Sequence, residues 1–295
     1  MPTIYEQLRK SYEDVIAENL KTDDMLSIKA FRKHYISLLK DSTNLKFYKY
    51  YKPTYFTIRN LEKDLLMCNN PSAFNDIYEG MVTSDKLDSS EVRSIITNVS
   101  SAVSISCFSE TWDNLLMYAH YADSFRGFCI EYNFDYIRDR LPLLYFFPVI
   151  YQSQPVSLEQ MQKLNDDINQ VKAAFKEDSL TIEKIDDVIS YFIHKANIWN
   201  YEREWRFIIP VTQYGNYFNS KDVSADKHFI PNFDCISAIY LAPNIDDLHK
   251  EHICEIIKKK NKERAESGSP YPPILVYQTK IQEAKYMLEK KQVVI

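Results

Sequence analysis

A chain of 295 residues with 45% hydrophobic and 26% charged residues has the composition of a globular protein of one large or two small domains. Its formal net charge of -5 gives no global attraction to nucleic acid, and no apolar run approaches the roughly 18 residues of a membrane helix. Four glycines, Gly80, Gly127, Gly215 and Gly268, lie far apart, which argues against the clustered phosphate loops of Walker and Rossmann folds.

Residues 3–20 and 26–41 read as two amphipathic helices, with Leu26, Ile28, Phe31, Tyr35, Leu38 and Leu39 at helical spacing. They form an N-terminal cap over 1–44, and the stretch lacks the apolar core of a signal peptide. "KFYKYY" at 46–51 reads as a strand ended by Pro53, and "TYFTIRNLEKDLL" as a helix capped by Thr54. "NNPSAFND" at 69–76 is turn chemistry, and 89–99 is helical. A strand at 101–108 leads to a helix at 111–122, then to strands at 127–134 and 143–152, the last with Pro148 marking an edge or bulge. Helices follow near 157–177 and 181–197, as an insertion between sheet strands. Strands at 202–210, 238–243 and 273–281 and a charged helix at 246–265 complete the chain. Strands scattered among helices without regular βαβ spacing predict an α+β domain over 45–295 with a central, mostly antiparallel sheet and flanking helices.

The five cysteines, Cys68, Cys107, Cys129, Cys235 and Cys254, are scattered and never spaced C-x-x-C. Free thiols in a reducing, cytoplasmic compartment and no metal site are expected. His249 and His252 lack the i, i+4 spacing of a helical zinc pair and read as a solvated face.

The most informative stretch is "YEREWRFIIP", 201–210. As a strand it puts Glu202, Glu204 and Arg206 on one face and Trp205, Phe207 and Ile209 on the other. Deep burial of the aromatic face makes the strand internal, so the charged face is covered too and lines a site. Glu204 is expected to be its chemical centre, with Glu202 nearer the strand's start and more exposed, and Arg206 either holding Glu204 ionised or binding a phosphate. Ser109 and Thr111 read as caps of the next helix, whose N-terminus would also welcome an anion. His120, close to Tyr121, Asp123 and Arg126, reads either as structural or as an acid–base group. "YKYYKPTYF" fits strand packing of Tyr48 and Tyr50 or stacking against a base. Asn75 and Asp76 fix a turn beside the expected cleft. Asp76, Glu110, Glu131 and Glu204 gathering a metal in a nuclease is a weaker reading.

"YKY" at 48–50, "PSAFND" at 71–76, "ISCFSE" at 105–110, "LLMYAHYADSFRGFCIEY" at 115–132 and "YEREWRFI" at 201–208 together resemble the bacterial domain-of-unknown-function family 2971. Tyr51, Ile77 and Tyr118 stand where that family usually has Arg, Pro and Trp. In layout the chain is more distantly similar to ADP-ribosyltransferase folds. That likeness implies an opening strand holding NAD through Tyr48 to Tyr50, a middle strand presenting Ser106 to Ser109, and a late strand presenting Glu204. It implies Glu204 and His120 as catalytic groups and Tyr48, Tyr50, Asn75, Ser109, Arg126 and Arg206 around NAD. A carboxylate there stabilises the oxocarbenium-like ribose left by nicotinamide and takes the nucleophile's proton. The target would be a nucleic acid or a protein, in a toxin or phage-defence effector. A non-catalytic module that senses a nucleotide or a phage component is the alternative.

Overall fold

The computed structural model describes residues 4–19, 39, 42–74, 90–140, 145–153, 158–177, 182–210, 227–283 and 285–295. The second predicted helix, at 26–41, falls almost wholly outside them. In chain order, α1 (Ile4–Asn19) precedes β1 (Lys46–Tyr51) and α2 (Tyr55–Glu62). Helix α2 starts at a capping box in which the Thr54 and Thr57 side chains satisfy each other's backbone N–H groups. Next come β2 (Leu66–Asn69), a 3₁₀ turn over Pro71–Ala73, α3 (Ser90–Ser100) and β3 (Val103–Ser109). Helix α4 (Leu115–Tyr121), β4 (Phe128–Asn133), α5 (Phe134–Arg140), β5 (Phe146–Pro148) and β6 (Ile150–Gln152) follow. The inserted helices α6 (Leu158–Lys176) and α7 (Ile182–Tyr191) lead into β7 (His194–Ala196), a 3₁₀ turn over Asn197–Glu202 and β8 (Glu204–Pro210). The chain closes with β9 (Lys227–Ile230), β10 (Ile236–Leu241), α8 (Asp247–Ser267), β11 (Leu275–Ile281) and β12 (Leu288–Val293).

Among the described residues these make a mixed α/β fold around an open ten-stranded sheet in the order β12-β11-β10-β4-β1-β3-β2-β9. Strand β8 pairs β3, and β5 pairs β8, off that path. The β10–β11 pair is parallel, and the other pairs of this sheet are antiparallel. One face of the sheet carries the main core, where Phe47, Phe146 and Trp205 meet at centroid distances of 4.8 to 5.4 Å. The other face carries a tyrosine-rich layer of Tyr48, Tyr50, Tyr118 and Tyr240. Helix α1 is tied to the sheet: Leu8 is buried, and the Tyr5 hydroxyl accepts the Lys46 N–H at 2.8 Å.

Several predicted boundaries shift, each for a local reason. The helix expected from residue 111 begins at Leu115, because the Asn114 side chain accepts the Leu116 and Met117 N–H groups. Thr111 is instead folded against Asp113. The strand expected at 143–152 breaks at Val149, whose N–H still bonds the Glu204 carbonyl while Ile150 turns to the Ile193 carbonyl. The helix expected to reach 197 stops at Tyr191 and becomes β7, which pairs β6 in parallel. Strand β8 starts at Glu204, because Arg203 adopts a left-handed conformation (φ 46°).

Gly127 sits where a left-handed run, Asp123 to Phe125, turns into β4. A Cβ there would lie 2.1 Å from the Tyr51 carbonyl oxygen, a backbone atom that cannot yield without parting β1 from β4. Gly127→Ala is expected to lower stability by about 3 kcal/mol or more, at the upper end of overpacking costs. Gly268→Ala meets nothing within 4 Å but keeps the left-handed φ of 65°, so about 1 kcal/mol is expected. Urea midpoints of the two variants check the contrast.

Candidate active site at a gap in the sheet

Strand β3 is shared unevenly by its neighbours. Along one edge β8 pairs it continuously, from Val103↔Pro210 to Ser109↔Glu204. Along the other, β1 meets it at Ser109 and β2 at Ile105, so neither strand pairs the residues between. A cavity of about 250 Å³ lies at this gap. Strand β1 lines it from Tyr48 to Tyr51, β3 contributes Ile105 and Cys107 to Ser109, and β2 contributes Met67 and Asn69. Phe74, Tyr121, Lys195, Glu202 and Glu204 complete its wall. Because β1 is absent from this part of β3, the Lys49 side-chain nitrogen reaches across instead. It donates to the Cys107 carbonyl at 2.9 Å and to Ser106 Oγ at 3.2 Å.

The registers set Tyr48, Ser109 and Glu204 side by side on neighbouring strands, and residues directly opposite share a face. Glu204 is buried among cations. Arg206 Nε donates to its Oε1 at 2.9 Å and the Arg206 Nη2 to its Oε2 at 3.1 Å. Lys195 Nζ donates to the same Oε2 at 3.0 Å and to Glu202 Oε2 at 2.6 Å, bridging the two carboxylates. The Tyr121 hydroxyl donates to the free side of Glu202, Oε1, at 2.6 Å. The backbone is fixed from outside. Tyr151 Oη accepts the Glu204 N–H, Arg9 donates to the Glu204 carbonyl, and Ser109 Oγ donates to the Glu202 carbonyl. Arg9 also pairs Glu110, which accepts the Trp205 indole N–H at 2.8 Å.

These surroundings drive the two carboxylates apart. Burial opposes ionisation of Glu204, but Arg206 and Lys195, with hydrogen bonds from Arg206 and Cys107, hold it well below the usual carboxylate range. Burial raises Glu202 to about 7; Lys195 pulls it down and the Glu204 charge pushes it up. Two carboxyl groups with opposed proton affinities are the arrangement that separates an acid–base group from a permanent anion.

Of the residues picked from the sequence, Glu204, Ser109, Tyr48 and Tyr50 line this cavity. Arg206 lies behind Glu204 rather than on the wall: it also donates to the Phe192 carbonyl at 2.6 Å, so it holds the carboxylate and is not a phosphate clamp. His120 is exposed at the end of α4, beside Tyr121, Trp199 and Tyr201, away from the cavity lining. Arg126 is exposed too and pairs Asp123 at 3.0 Å. Asn75 and Asp76 lie outside the described residues. The expectation that Glu202 is the more exposed carboxylate fails: it is 3% accessible and Glu204 4%. The left-handed Arg203 ends the 3₁₀ turn that carries Glu202, which lies outside β8 and meets Lys195. The carboxylates considered for a metal do not converge. Glu110 is held by Arg9 and Trp205, and Glu131 by Ser237 and Tyr240, apart from the Glu204 network. Among the described residues no three His, Cys, Asp or Glu side chains form a metal cluster.

Lys195, Lys49 and Tyr121 went unrecognised in the sequence. Lys195 hid in a stretch read as helix, although a lysine inside the apolar run "YFIHKANIW" was a usable signal. The described residues include no helix long and apolar enough to cross a membrane.

A family profile described as "Protein of unknown function (DUF2971)" matches residues 117–207. The matched stretch runs from α4 into β8 and contains Tyr121, Lys195, Glu202 and Glu204. No curated protein and no solved structure matches the chain.

The cationic side of this network also acts on His194. Its ring nitrogens are buried and have no hydrogen-bond partner among the described residues. Burial, and then the Arg206 charge, lower its pKa to about 4 from an ordinary 6.5. Between those values the unfolded chain binds more protons, so this histidine contributes a loss of stability as pH falls through the window. Glu202 contributes the opposite slope between 4.5 and about 7, because its folded pKa is raised. The difference between wild type and His194→Phe isolates the histidine. The variant is expected to match wild type at pH 8 and to gain up to about 3 kcal/mol relative to it by pH 4, measured by urea unfolding.

Proposed function

We propose that the cavity is the active site of an ADP-ribosyltransferase-like enzyme that uses NAD to modify a nucleic acid or a protein. The observation that carries this reading is the pair Glu202 and Glu204, bridged by Lys195, on the wall of an aromatic-lined cavity. NAD would supply an ADP-ribosyl group whose bond to nicotinamide breaks with positive charge developing on the ribose. The residues present suit that group. Tyr50, Tyr51 and Phe74 offer faces to a flat ring, and buried carboxylates face the place where positive charge would grow. About 250 Å³ suits one end of a dinucleotide, being slightly below the ~300–1,000 Å³ of ordinary small-molecule sites.

Each side chain then has a role. Glu204, kept ionised by Arg206 and Lys195, is the fixed negative charge. Glu202, with a proton affinity near neutrality, takes the proton of the incoming nucleophile. Tyr121 and Lys195 hold Glu202 in place by hydrogen bonds that survive its change of charge. The likeness in layout to ADP-ribosyltransferase folds supports the reading, and a toxin or phage-defence effector is the setting that fits it.

One observation favours a second reading, a nucleotide-sensing module without turnover. Both Glu204 oxygens are already occupied by Arg206 and Lys195, which suits a structural ion pair as well as a catalytic one.

Incubation of the chain with NAD labelled in its adenylate half and a cell lysate separates the two. Label transfer is expected to fall about 10²-fold or more in Glu204→Gln and in Glu202→Gln, while both variants fold. Saturable NAD binding without transfer would support the sensor instead. Transfer that persists in both variants would contradict either role for the pair.

A further inference from the structure

A second, much smaller cavity lies where the end of α2 meets the sheet. Asn60 and Asp64 line it from the helix end, Tyr51 and Tyr132 from β1 and β4, and Phe233 from the loop before β10. It leaves about 10 Å³ to the centre of a water molecule, which is room for one. Its polar groups are not satisfied by one another. Asn60 is 5% exposed, and neither its side-chain oxygen nor its nitrogen has a hydrogen-bond partner among the described residues. The same holds for Asp64 Oδ1, while Asp64 Oδ2 accepts from Lys260 Nζ at 2.6 Å. The buried Tyr51 and Tyr132 hydroxyls lie 3.2 Å apart, so one donates to the other and the second keeps a hydrogen with no further acceptor among the described residues. Burying such groups unpaired is unfavourable, and native folds pair nearly all of them.

We infer that this cavity binds one water molecule as a fixed part of the fold, held by Asn60, Asp64 and the tyrosine pair. The mixture of donors and acceptors selects the ligand. A bare cation would suit the two Oδ1 atoms but would leave the Asn60 N–H groups and the spare tyrosine hydrogen unserved. An anion would meet the Asp64 carboxylate. A water's two hydrogens suit Asp64 Oδ1 and Asn60 Oδ1, and its lone pairs suit Asn60 Nδ2 and the tyrosine hydrogen. Three of these four bonds would match the roughly three that a buried water makes. Tyr51 also lines the candidate active site, so the water fixes the hydroxyl end of one of that site's walls. The inference does not depend on what the larger cavity binds.

Magnetic relaxation dispersion of water oxygen, which reads long-lived internal waters, tests it on the full chain. Wild type is compared with Asn60→Leu, so that waters elsewhere cancel. The dispersion amplitude is expected to fall by the share of one water in the variant. The urea midpoint should fall too, because leucine leaves Asp64 Oδ1 and the tyrosine hydrogen buried without a partner. With no water in the cavity, the Asn60 amide would itself be the unpaired group, and a leucine of similar size would raise the midpoint. An unchanged amplitude, or a midpoint that does not fall, overturns the inference. If Asn60→Leu does not fold, a high-resolution crystal structure of the wild type decides. A density peak within hydrogen-bond reach of Asn60 and Asp64 is expected, and a cavity closed by direct bonds between these side chains overturns the inference.

Discussion

The structure turns on one buried cation, Lys195, lodged between two carboxylates. Burying any of these charges alone is unfavourable by several kcal/mol, so each exists in place only because the others do. Arg206 makes Glu204 tolerable. Lys195 then has one full negative charge to pair with and does not need a second. That surplus, together with burial, leaves Glu202 with a proton near neutrality instead of forcing it to ionise. The chain around the network is held accordingly. Arg9 from α1, Tyr151 from β6 and Ser109 from β3 each bond the backbone of 202–204, so three separate segments fix the two carboxylates.

The cavity beside this network is a consequence of strand pairing rather than of a loop. Strand β3 cannot satisfy its outer edge along its whole length, since β1 leaves it at Ser109 and β2 meets it at Ile105. An unpaired backbone carbonyl inside a sheet is costly unless something else donates to it. Lys49 supplies that donor to Cys107. The same residue that repairs the sheet also lines the cavity. A sheet on both sides gives the site its walls, with β1 contributing Tyr48 and Tyr50 from one face and Lys49 and Tyr51 from the other.

Much of this was legible in the sequence, and what was missed has identifiable causes. The alternation in "EWRFIIP" foretold a strand buried on both faces, and all seven residues of β8 are buried. The antiparallel sheet, the inserted helices and Glu204 on a covered face follow from the same pattern. Glu202 was misplaced because period-2 reasoning cannot anticipate a single left-handed residue at Arg203. Lys195 was missed because β7 is three residues long, too short to show an alternation. His120 and Arg126 were misleading because polar company in sequence need not line a cavity: His120 packs beside Tyr121 and Arg126 pairs Asp123, both exposed and apart from the cavity lining. Strands β2, β9 and β12 escaped notice for a related reason. They are short or, like "LEKKQV", charged edge strands whose pairing rests on backbone bonds that leave little trace in side-chain pattern.

Lys195 and Arg206 split the proton affinities of two neighbouring carboxyl groups. Carbon-13 chemical shifts of the glutamate carboxyl groups, followed through a pH titration and assigned with Glu202→Gln and Glu204→Gln, test it directly. The Glu202 signal is expected to titrate near pH 7 and the Glu204 signal to stay ionised to the acid limit of the folded protein. Two carboxyl groups titrating together at an ordinary value of about 4.3 would contradict it.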